Sequence, residues 1–240
     1  EKYGHKVYKI SLDGGMSCPN RDGTIGTGGC IFCSAGGSGE FSSDRRKSIS
    51  EQIEDGINLV KHKADNGTYI AYFQAYTNTY SELDDLKRKY EDALGVDGVV
   101  GLVIGTRPDC VPDNLLDYLA ELNRQVCVIV EYGIESVYDK TLERINRGHD
   151  YACVVDAVNR TSERGLITGG HVILGLPGES RDDILKCADV LSELPLTTLK
   201  LHQLQLIKGT RMAEEYFANP EWFHLFGADG IFACIFHKVY

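Results

Sequence analysis

Three cysteines within sixteen residues are the part of this 240-residue sequence best suited to chemistry. Cys18, Cys30 and Cys33 follow the pattern Cys-x11-Cys-x2-Cys on a glycine-rich segment. Thiolate ligands select soft metal centres, which are iron–sulfur clusters or zinc. Glycines also let backbone N–H groups approach cluster sulfurs. We therefore predict a [4Fe-4S] cluster on these three residues, with one iron left open for a small molecule.

Two other uses of the same cysteines remain as alternatives. A structural zinc site needs four protein ligands, and no fourth Cys or His has finger-like spacing, so zinc would require a distant residue. A thioredoxin-like redox pair at Cys30 and Cys33 would require the context of that fold, which the sequence lacks. The other five cysteines share no spacing: Cys110, Cys127, Cys153, Cys187 and Cys234.

The composition is that of a globular protein with an acidic balance. The net charge is −10 and the sequence pI is about 5.2. This charge argues against binding nucleic acid over a broad surface, although one local basic site remains compatible with it. No apolar run approaches the roughly 20 residues of a membrane span, and the start of the chain lacks the apolar segment of a signal peptide. We expect a cytoplasmic protein without membrane contact.

Short β-rich runs alternate with amphipathic stretches along the chain. The predicted strands are Val7–Leu12, Thr68–Ala75, Val99–Gly105, Val126–Tyr132, Ile167–Leu174 and Thr198–Leu204. The predicted helices are Ser48–Lys63, Ser81–Leu94, Pro112–Asn123, Asp150–Arg164 and Arg181–Glu193. Ser81 is expected to cap its helix, and Gly165 to follow the end of another. Six β/α units indicate parallel strands in an open or partial barrel, or in a doubly wound sheet.

Polar residues at the ends of the predicted strands favour the barrel. Each unit has such residues at or near its carboxyl end, where α/β barrels build their active sites. They are the cysteine loop, Gln74–Asn78, Thr106, Arg107, Glu131, Glu135, His171, His202, Gln203 and Gln205. We expect them to line one barrel mouth.

Several longer motifs resemble the radical S-adenosylmethionine (SAM) superfamily, and within it the YhcC-like branch, which is related to the elongator catalytic subunit. The matching segments extend over residues 5 to about 210. They are Asp13–Gly15 before Cys18–Gly23, then Ala71–Thr79, Gly105–Cys110, Asn146–Asp150, His171–Glu179 and His202–Leu204. The resemblance implies a partial (β/α)6 TIM-like barrel of the radical SAM type over residues 1–210. Residues 211–240 are then a C-terminal extension, expected to be incomplete, in which the apolar run 231–236 is one more strand or a fragment.

The resemblance also implies an activity. The open iron would chelate SAM, and an electron from a donor such as flavodoxin or ferredoxin would cleave SAM to a 5′-deoxyadenosyl radical that abstracts hydrogen from a substrate. Relatives suggest the wobble uridine of tRNA as that substrate. The alternative is a non-enzymatic Fe–S or zinc module for redox sensing or interaction, which has no need of a polar barrel mouth.

Two regions are implied to contact the adenine and the amino group of SAM. Phe32 resembles the aromatic residue beside the adenine, and the backbone near Leu174 and Gly175 is expected to pass it. Ala75, Tyr76 and Thr77 occupy the place of a glycine-rich turn whose backbone takes the SAM amino group, although the usual glycine pair is missing.

Three further residues are implied to hold the ribose and the carboxylate. Glu135 and His171 resemble ribose contacts, and Arg147 resembles the arginine that pairs with the SAM carboxylate. The alternative for Glu135 is a solvated loop carboxylate, and that for His171 is a hydrogen-bonded barrel histidine. The alternative for Arg147 is a surface ion pair. For Tyr76 and Tyr80, the alternative to a functional role is a packing role.

The candidates for recognising the substrate lie at two strand ends. Arg107, His202, Gln203 and Gln205 would face the barrel mouth and bind an anion or a nucleobase.

Overall fold

The computed structural model describes residues 3–37, 39, 42–63 and 67–223. Six parallel strands form one sheet in sequence order, curled into a half-barrel. They are β1 (Tyr8–Leu12), β2 (Tyr69–Phe73), β3 (Val99–Thr106), β4 (Cys127–Glu135), β5 (Ile167–Leu174) and β6 (Thr198–Gln203). All six predicted strands are confirmed, and the consecutive strand order selects the partial barrel over the doubly wound sheet.

Helices connect the strands, as right-handed crossovers between parallel neighbours require. They are α1 (Ile49–Val60), α2 (Leu83–Leu94), α3 (Asp113–Leu122), α4 (Asp139–Arg144), α5 (Tyr151–Glu163), α6 (Arg181–Ser192) and α7 (Arg211–Ala218). Two short 3-10 helices span Pro108–Cys110 and Pro220–Trp222. The five predicted helices are present. The sequence patterns missed α4, which is too short to show a helical period, and α7.

Of the two predicted helix ends, one is confirmed and the other is wrong. Gly165 follows α5 with φ of 71°, in the left-handed region that glycine tolerates, so this prediction is confirmed. The Ser81 cap is wrong, because α2 begins one residue later, after Glu82, without a side-chain cap. Ser81 Oγ instead donates to Asp85 Oδ2 at 2.9 Å.

Alternation along the strands separates the core from the cavity. In β4, Val128, Val130 and Tyr132 are fully buried in the main apolar core, whereas Glu131 and Gly133 line the cavity inside the barrel. Successive strand residues point to opposite faces of a sheet, so one face packs against the helices and the other carries polar groups. The sheet therefore places chemistry on its concave face.

The last described segments pack against the cysteine loop. Met212 N, in the first turn of α7, donates to Ile31 O at 2.9 Å. Both residues belong to a second apolar cluster with Leu142 and Ile145. The predicted boundary at residue 210 stays a prediction, and the apolar run 231–236 lies outside the described residues. Within the described part of the chain, no helix has the length and apolar character of a membrane span.

Candidate active site in the half-barrel

A cavity of about 380 Å³ opens at the carboxyl ends of the strands. It brings together most of the residues that the sequence indicated. Those lining it are Cys18, Cys30, Cys33, Phe32, Tyr76, Thr77, Arg107, Glu135, Arg147, His171, His202, Gln203 and Gln205. Ala75, Leu174 and Gly175 are not among the lining residues, and their contacts with SAM stay predictions.

The cysteine loop is tied to the segment between α4 and α5 by paired amide hydrogen bonds. Asn20 Nδ2 donates to Asn146 O at 2.6 Å, and Asn146 Nδ2 donates to Gly29 O at 2.7 Å. Asn146 has φ of 54°, a left-handed conformation that asparagine adopts more readily than most residues. This bracing fixes Cys30, the next residue after Gly29, beside Arg147.

Cys30 lies among hydrogen-bond donors. Its Sγ is 3.5 Å from Arg147 Nη1 and 3.8 Å from Asn20 Nδ2. Cys30 is buried, Cys18 and Cys33 are half-buried, and none of the three forms a disulfide. Donors and a cation beside this sulfur suit a metal-bound cysteine, because hydrogen bonds to the ligand sulfur help to set the properties of the metal centre.

These observations fit a cluster ligand, although the three side chains are not arranged around a single ion. Among the described residues, no group of three or more His, Cys, Asp or Glu side chains is positioned to hold a metal ion. The thiols instead border one shared cavity, with an arginine beside one sulfur.

A bulge in β4 aims Glu135 at Arg147. The register with β5 shifts between Gly133 and Glu135, and Glu135 has φ of 66°. Such bulges redirect side chains next to functional sites. Glu135 Oε1 lies 3.6 Å from Arg147 Nη2, which also donates to Gly133 O at 2.6 Å.

Arg147 keeps one donor unused. Burial alone would lower the pKa of Arg147, but the charges of Cys30 and Glu135 raise it above its usual range. Its Nε is buried without a hydrogen-bond partner. A buried N–H left unsatisfied is costly, so this donor is a candidate contact for a ligand. The ion pair predicted as an alternative for Arg147 is present, but it is buried rather than on the surface.

The turn after β2 braces the cysteine loop from the other side. Tyr76 N donates to Gly37 O at 2.9 Å, and Thr77 N donates to Ser17 O at 3.2 Å. Tyr76 has φ of 61°, and its hydroxyl donates to Ala35 O at 2.6 Å. Because an amino group donates, the predicted contact of this turn with the SAM amino group rests on its carbonyls.

Two candidate substrate residues present unused donors. Arg107 is buried and bonds Asp109 through Nε at 2.9 Å and Nη2 at 2.7 Å, while its Nη1 has no partner. Burial alone would raise the pKa of Asp109, but Arg107 lowers it below its usual range. Gln203 Nε2 is likewise buried without a partner. Both donors belong to residues that line the cavity.

A buried carboxylate cluster lies deeper in the barrel, and sequence reasoning found only part of it. Glu131 accepts from Lys9 Nζ and His171 Nε2, each at 2.9 Å, and Lys200 Nζ lies 3.5 Å away. Lys9 and Lys200 also lie over the Tyr72 ring. We did not predict Lys9, Tyr72 and Lys200. The sequence feature that could have identified them is a polar residue at alternate positions of successive strands, on the face that points into the barrel.

The model of the radical SAM superfamily matches residues 22–191. The chain belongs to the radical SAM superfamily. It is 47% identical over 216 residues to YtqA of Bacillus subtilis, covering 90% of this chain and 67% of YtqA. It is 44% identical over 219 residues to YhcC of Escherichia coli K12, covering 91% and 70%. The predicted superfamily and its YhcC-like branch are confirmed.

Two weaker similarities are to proteins of Methanocaldococcus infernus. The structure of Methanocaldococcus infernus Elp3 with an N-terminal deletion superposes with a TM-score of 0.64 at 17% identity. It covers 90% of this chain and 50% of that one, and it shows the fold. A tRNA uridine(34) acetyltransferase of the same organism is 26% identical over 122 residues, which are 48% of this chain and 22% of that protein.

The family decides between the two predicted classes of function. The chain is a radical SAM enzyme, which favours the enzymatic prediction over the non-enzymatic binding module. Members of this family generally bind a [4Fe-4S] cluster and SAM.

Proposed function

We propose that this enzyme cleaves SAM reductively and uses the radical formed to abstract hydrogen from the wobble uridine of a tRNA. The observation that carries the proposal is the position of Arg147. Its Nη1 lies 3.5 Å from Cys30 Sγ, and both residues line the cavity. Its Nε is buried without a hydrogen-bond partner. The same arginine thus contacts a cysteine of the cluster motif and has an N–H donor, Nε, that suits a carboxylate.

The predicted cluster ligands and SAM contacts each have a task in this scheme. Cys18, Cys30 and Cys33 would hold the [4Fe-4S] cluster, which supplies the electron that splits SAM into methionine and the 5′-deoxyadenosyl radical. Arg147 would bind the SAM carboxylate, and Glu135 the ribose hydroxyls.

The remaining predicted contacts serve to orient SAM. Phe32 would flank the adenine, with the backbone near Leu174 and Gly175 on its other side. Ala75, Tyr76 and Thr77 would receive the amino group. His171 would reach a ribose hydroxyl only in competition with its present hydrogen bonds to Glu131 and His202.

The charge inside the cavity supports a polyanionic substrate despite the acidic chain. Four lining side chains are basic and two are acidic: Arg21, Arg107, Arg147 and Lys200 against Glu131 and Glu135. A local positive site is sufficient for one nucleotide to enter, because only that nucleotide must reach the radical. The similarity to a tRNA uridine(34) acetyltransferase supports the same substrate class.

The first test measures SAM cleavage. The protein is reconstituted anaerobically with iron and sulfide, reduced with dithionite, and assayed by chromatography for 5′-deoxyadenosine with and without tRNA. Cys30→Ala should abolish the product, whereas Cys153→Ala, which removes a half-buried cysteine outside the cavity, should retain it. An intact cluster that yields no 5′-deoxyadenosine, even with tRNA present, would refute the radical chemistry.

The second test concerns the substrate. tRNA from cells lacking this gene is incubated with the active enzyme and digested to nucleosides, and mass spectrometry compares the nucleoside at the wobble position. We expect a mass change that depends on SAM. SAM cleavage with unchanged tRNA would refute the tRNA assignment and leave the radical chemistry standing.

A further inference from the structure

Glu131 is a buried carboxylate that acts only as a hydrogen-bond acceptor. It is 6% exposed, with Lys9 on one oxygen and His171 on the other. Burial alone would raise the pKa of Glu131, but the hydrogen bonds from His171 and Lys9 and the charge of Lys200 hold it well below its usual range. An ionised carboxylate has no hydrogen to donate, so the hydrogen between Glu131 and His171 resides on His171 Nε2.

This arrangement links Glu131 to a second imidazole. His171 Nδ1 lies 3.3 Å from His202 Nε2, and the ring centroids are 5.1 Å apart. In the tautomer of His171 that carries its hydrogen on Nε2, Nδ1 is only an acceptor. His202 Nε2–H then donates to it. The remaining nitrogen of His202, Nδ1, is left with a lone pair on a ring that lines the cavity.

We propose that His202 is the proton acceptor of the reaction and that His171 and Glu131 are its positioning residues. His202 Nδ1 takes a proton from an N–H or O–H group of the substrate, so that bond breaks and a new N–H bond forms on the imidazole. The electron pair stays with the substrate, and no electron is transferred. The proposal rests on the proposed function only for the substrate, a uridine, whose N3–H is a group of this kind.

The proton need not stay on His202. When Nδ1 is protonated, the hydrogen between the rings moves from His202 Nε2 to His171 Nδ1. The positive charge then lies on His171, beside the Glu131 carboxylate, where it is most strongly stabilised. The chain of three groups therefore moves the proton from His202 to His171 and keeps its receiving end basic.

The surrounding groups favour a basic rather than a protonated His202. His202 is exposed but partly desolvated. This desolvation, then His171 and Lys200, lower the pKa of His202 below its ordinary value, and only Glu131 opposes them. The other groups facing the cluster are Lys9 on β1 and Tyr72 on β2. Since two lysines already neutralise Glu131, a histidine is not required there for charge balance. A general base that is unprotonated at neutral pH matches this environment.

The hydrogen positions are tested directly by NMR on the reconstituted, cluster-bearing protein labelled with ¹⁵N-histidine. Long-range ¹H–¹⁵N spectra distinguish Nε2–H from Nδ1–H imidazoles. We expect Nε2–H at both His171 and His202 at pH 7.5. In Glu131→Gln the pKa of His202 should fall further, because the opposing charge is gone, and exposed Glu54→Gln should leave it unchanged.

A second variant keeps this test decisive. If circular dichroism shows that Glu131→Gln is unfolded, His171→Gln breaks the same link, and the His202 pKa should rise because His171 lowers it. A His202 that is chiefly Nδ1–H in the wild type, or a His202 pKa that responds to neither folded variant, overturns the proposal.

The catalytic role is tested with tRNA as the probe. His202→Gln preserves a donor to His171 but cannot accept a proton. The ratio of modified tRNA to 5′-deoxyadenosine should fall about 100-fold, while His62→Gln, an exposed residue outside the cavity, should leave the ratio unchanged. An unchanged ratio in His202→Gln refutes the role. Wild-type 5′-deoxyadenosine without modified tRNA refutes only the tRNA assignment, and the NMR result then decides the relay.

Discussion

Asn146 joins the cysteine loop to the segment that carries Arg147, and two substitutions separate its side-chain and backbone contributions. Its Nδ2 donates to Gly29 O at 2.7 Å, while its own φ is 54°. Asn146→Gly removes the hydrogen bond and keeps an easy left-handed backbone. Asn146→Ala removes the same bond and places a Cβ in that strained conformation.

The expected magnitudes follow from these two terms. A hydrogen bond of this kind contributes about 1 kcal/mol to the free energy of unfolding. The left-handed conformation costs alanine about 1 kcal/mol more than glycine. We therefore expect Asn146→Gly to lose about 1 kcal/mol and Asn146→Ala about 2 kcal/mol. Anaerobic urea unfolding followed by circular dichroism measures both, and iron content after reconstitution reports whether the cysteine loop still assembles.

The difference between the two variants is the decisive quantity. If Asn146→Ala is as stable as Asn146→Gly, position 146 is not left-handed in solution. If both match the wild type, the bond to Gly29 does not hold the loop, and the bracing of Cys30 must come from elsewhere.

Three further changes test the core, a helix contact and a titrating group. Leu116→Ala empties a fully buried position and should lower the free energy of unfolding by about 2–5 kcal/mol in urea titrations. Gly56→Ala should lower the thermal midpoint despite the better helix propensity of alanine, because its Cβ would collide with Ile10 Cγ2. Burial, then Arg147, lower the pKa of His149 to about 4, so the unfolded chain binds more protons between pH 4 and 6.5. Stability should fall on acidification through that window by at most about 3 kcal/mol, and His149→Gln should flatten the pH dependence of the urea midpoint.

Local patterns predicted the strands and helices because the apolar residues of each strand and of most helices repeat with the period of that element. The six β-rich runs matched the observed strands closely. Apolar residues of β1 to β5 pack in the main core, whereas Leu199 and Leu201 of β6 are exposed. The errors occurred where local signals are weak. Helix α4 has only six residues, and α2 begins after Glu82 although Ser81 is the better capping residue.

The sequence by itself indicated the candidate ligands and most of the rim of the candidate site. The cysteine spacing indicated the cluster motif, and polar residues at strand ends indicated a shared mouth, because parallel strands bring their carboxyl ends to one edge. Only the tertiary structure decided which side chains meet inside. Lys9 and Glu131 are 122 residues apart and touch because the sheet curls β1 towards β4 across the cavity. The bulge that turns Glu135 towards Arg147 depends on the register between β4 and β5. Sheet curvature and strand register arise from contacts between distant segments, so no local pattern of residues encodes them.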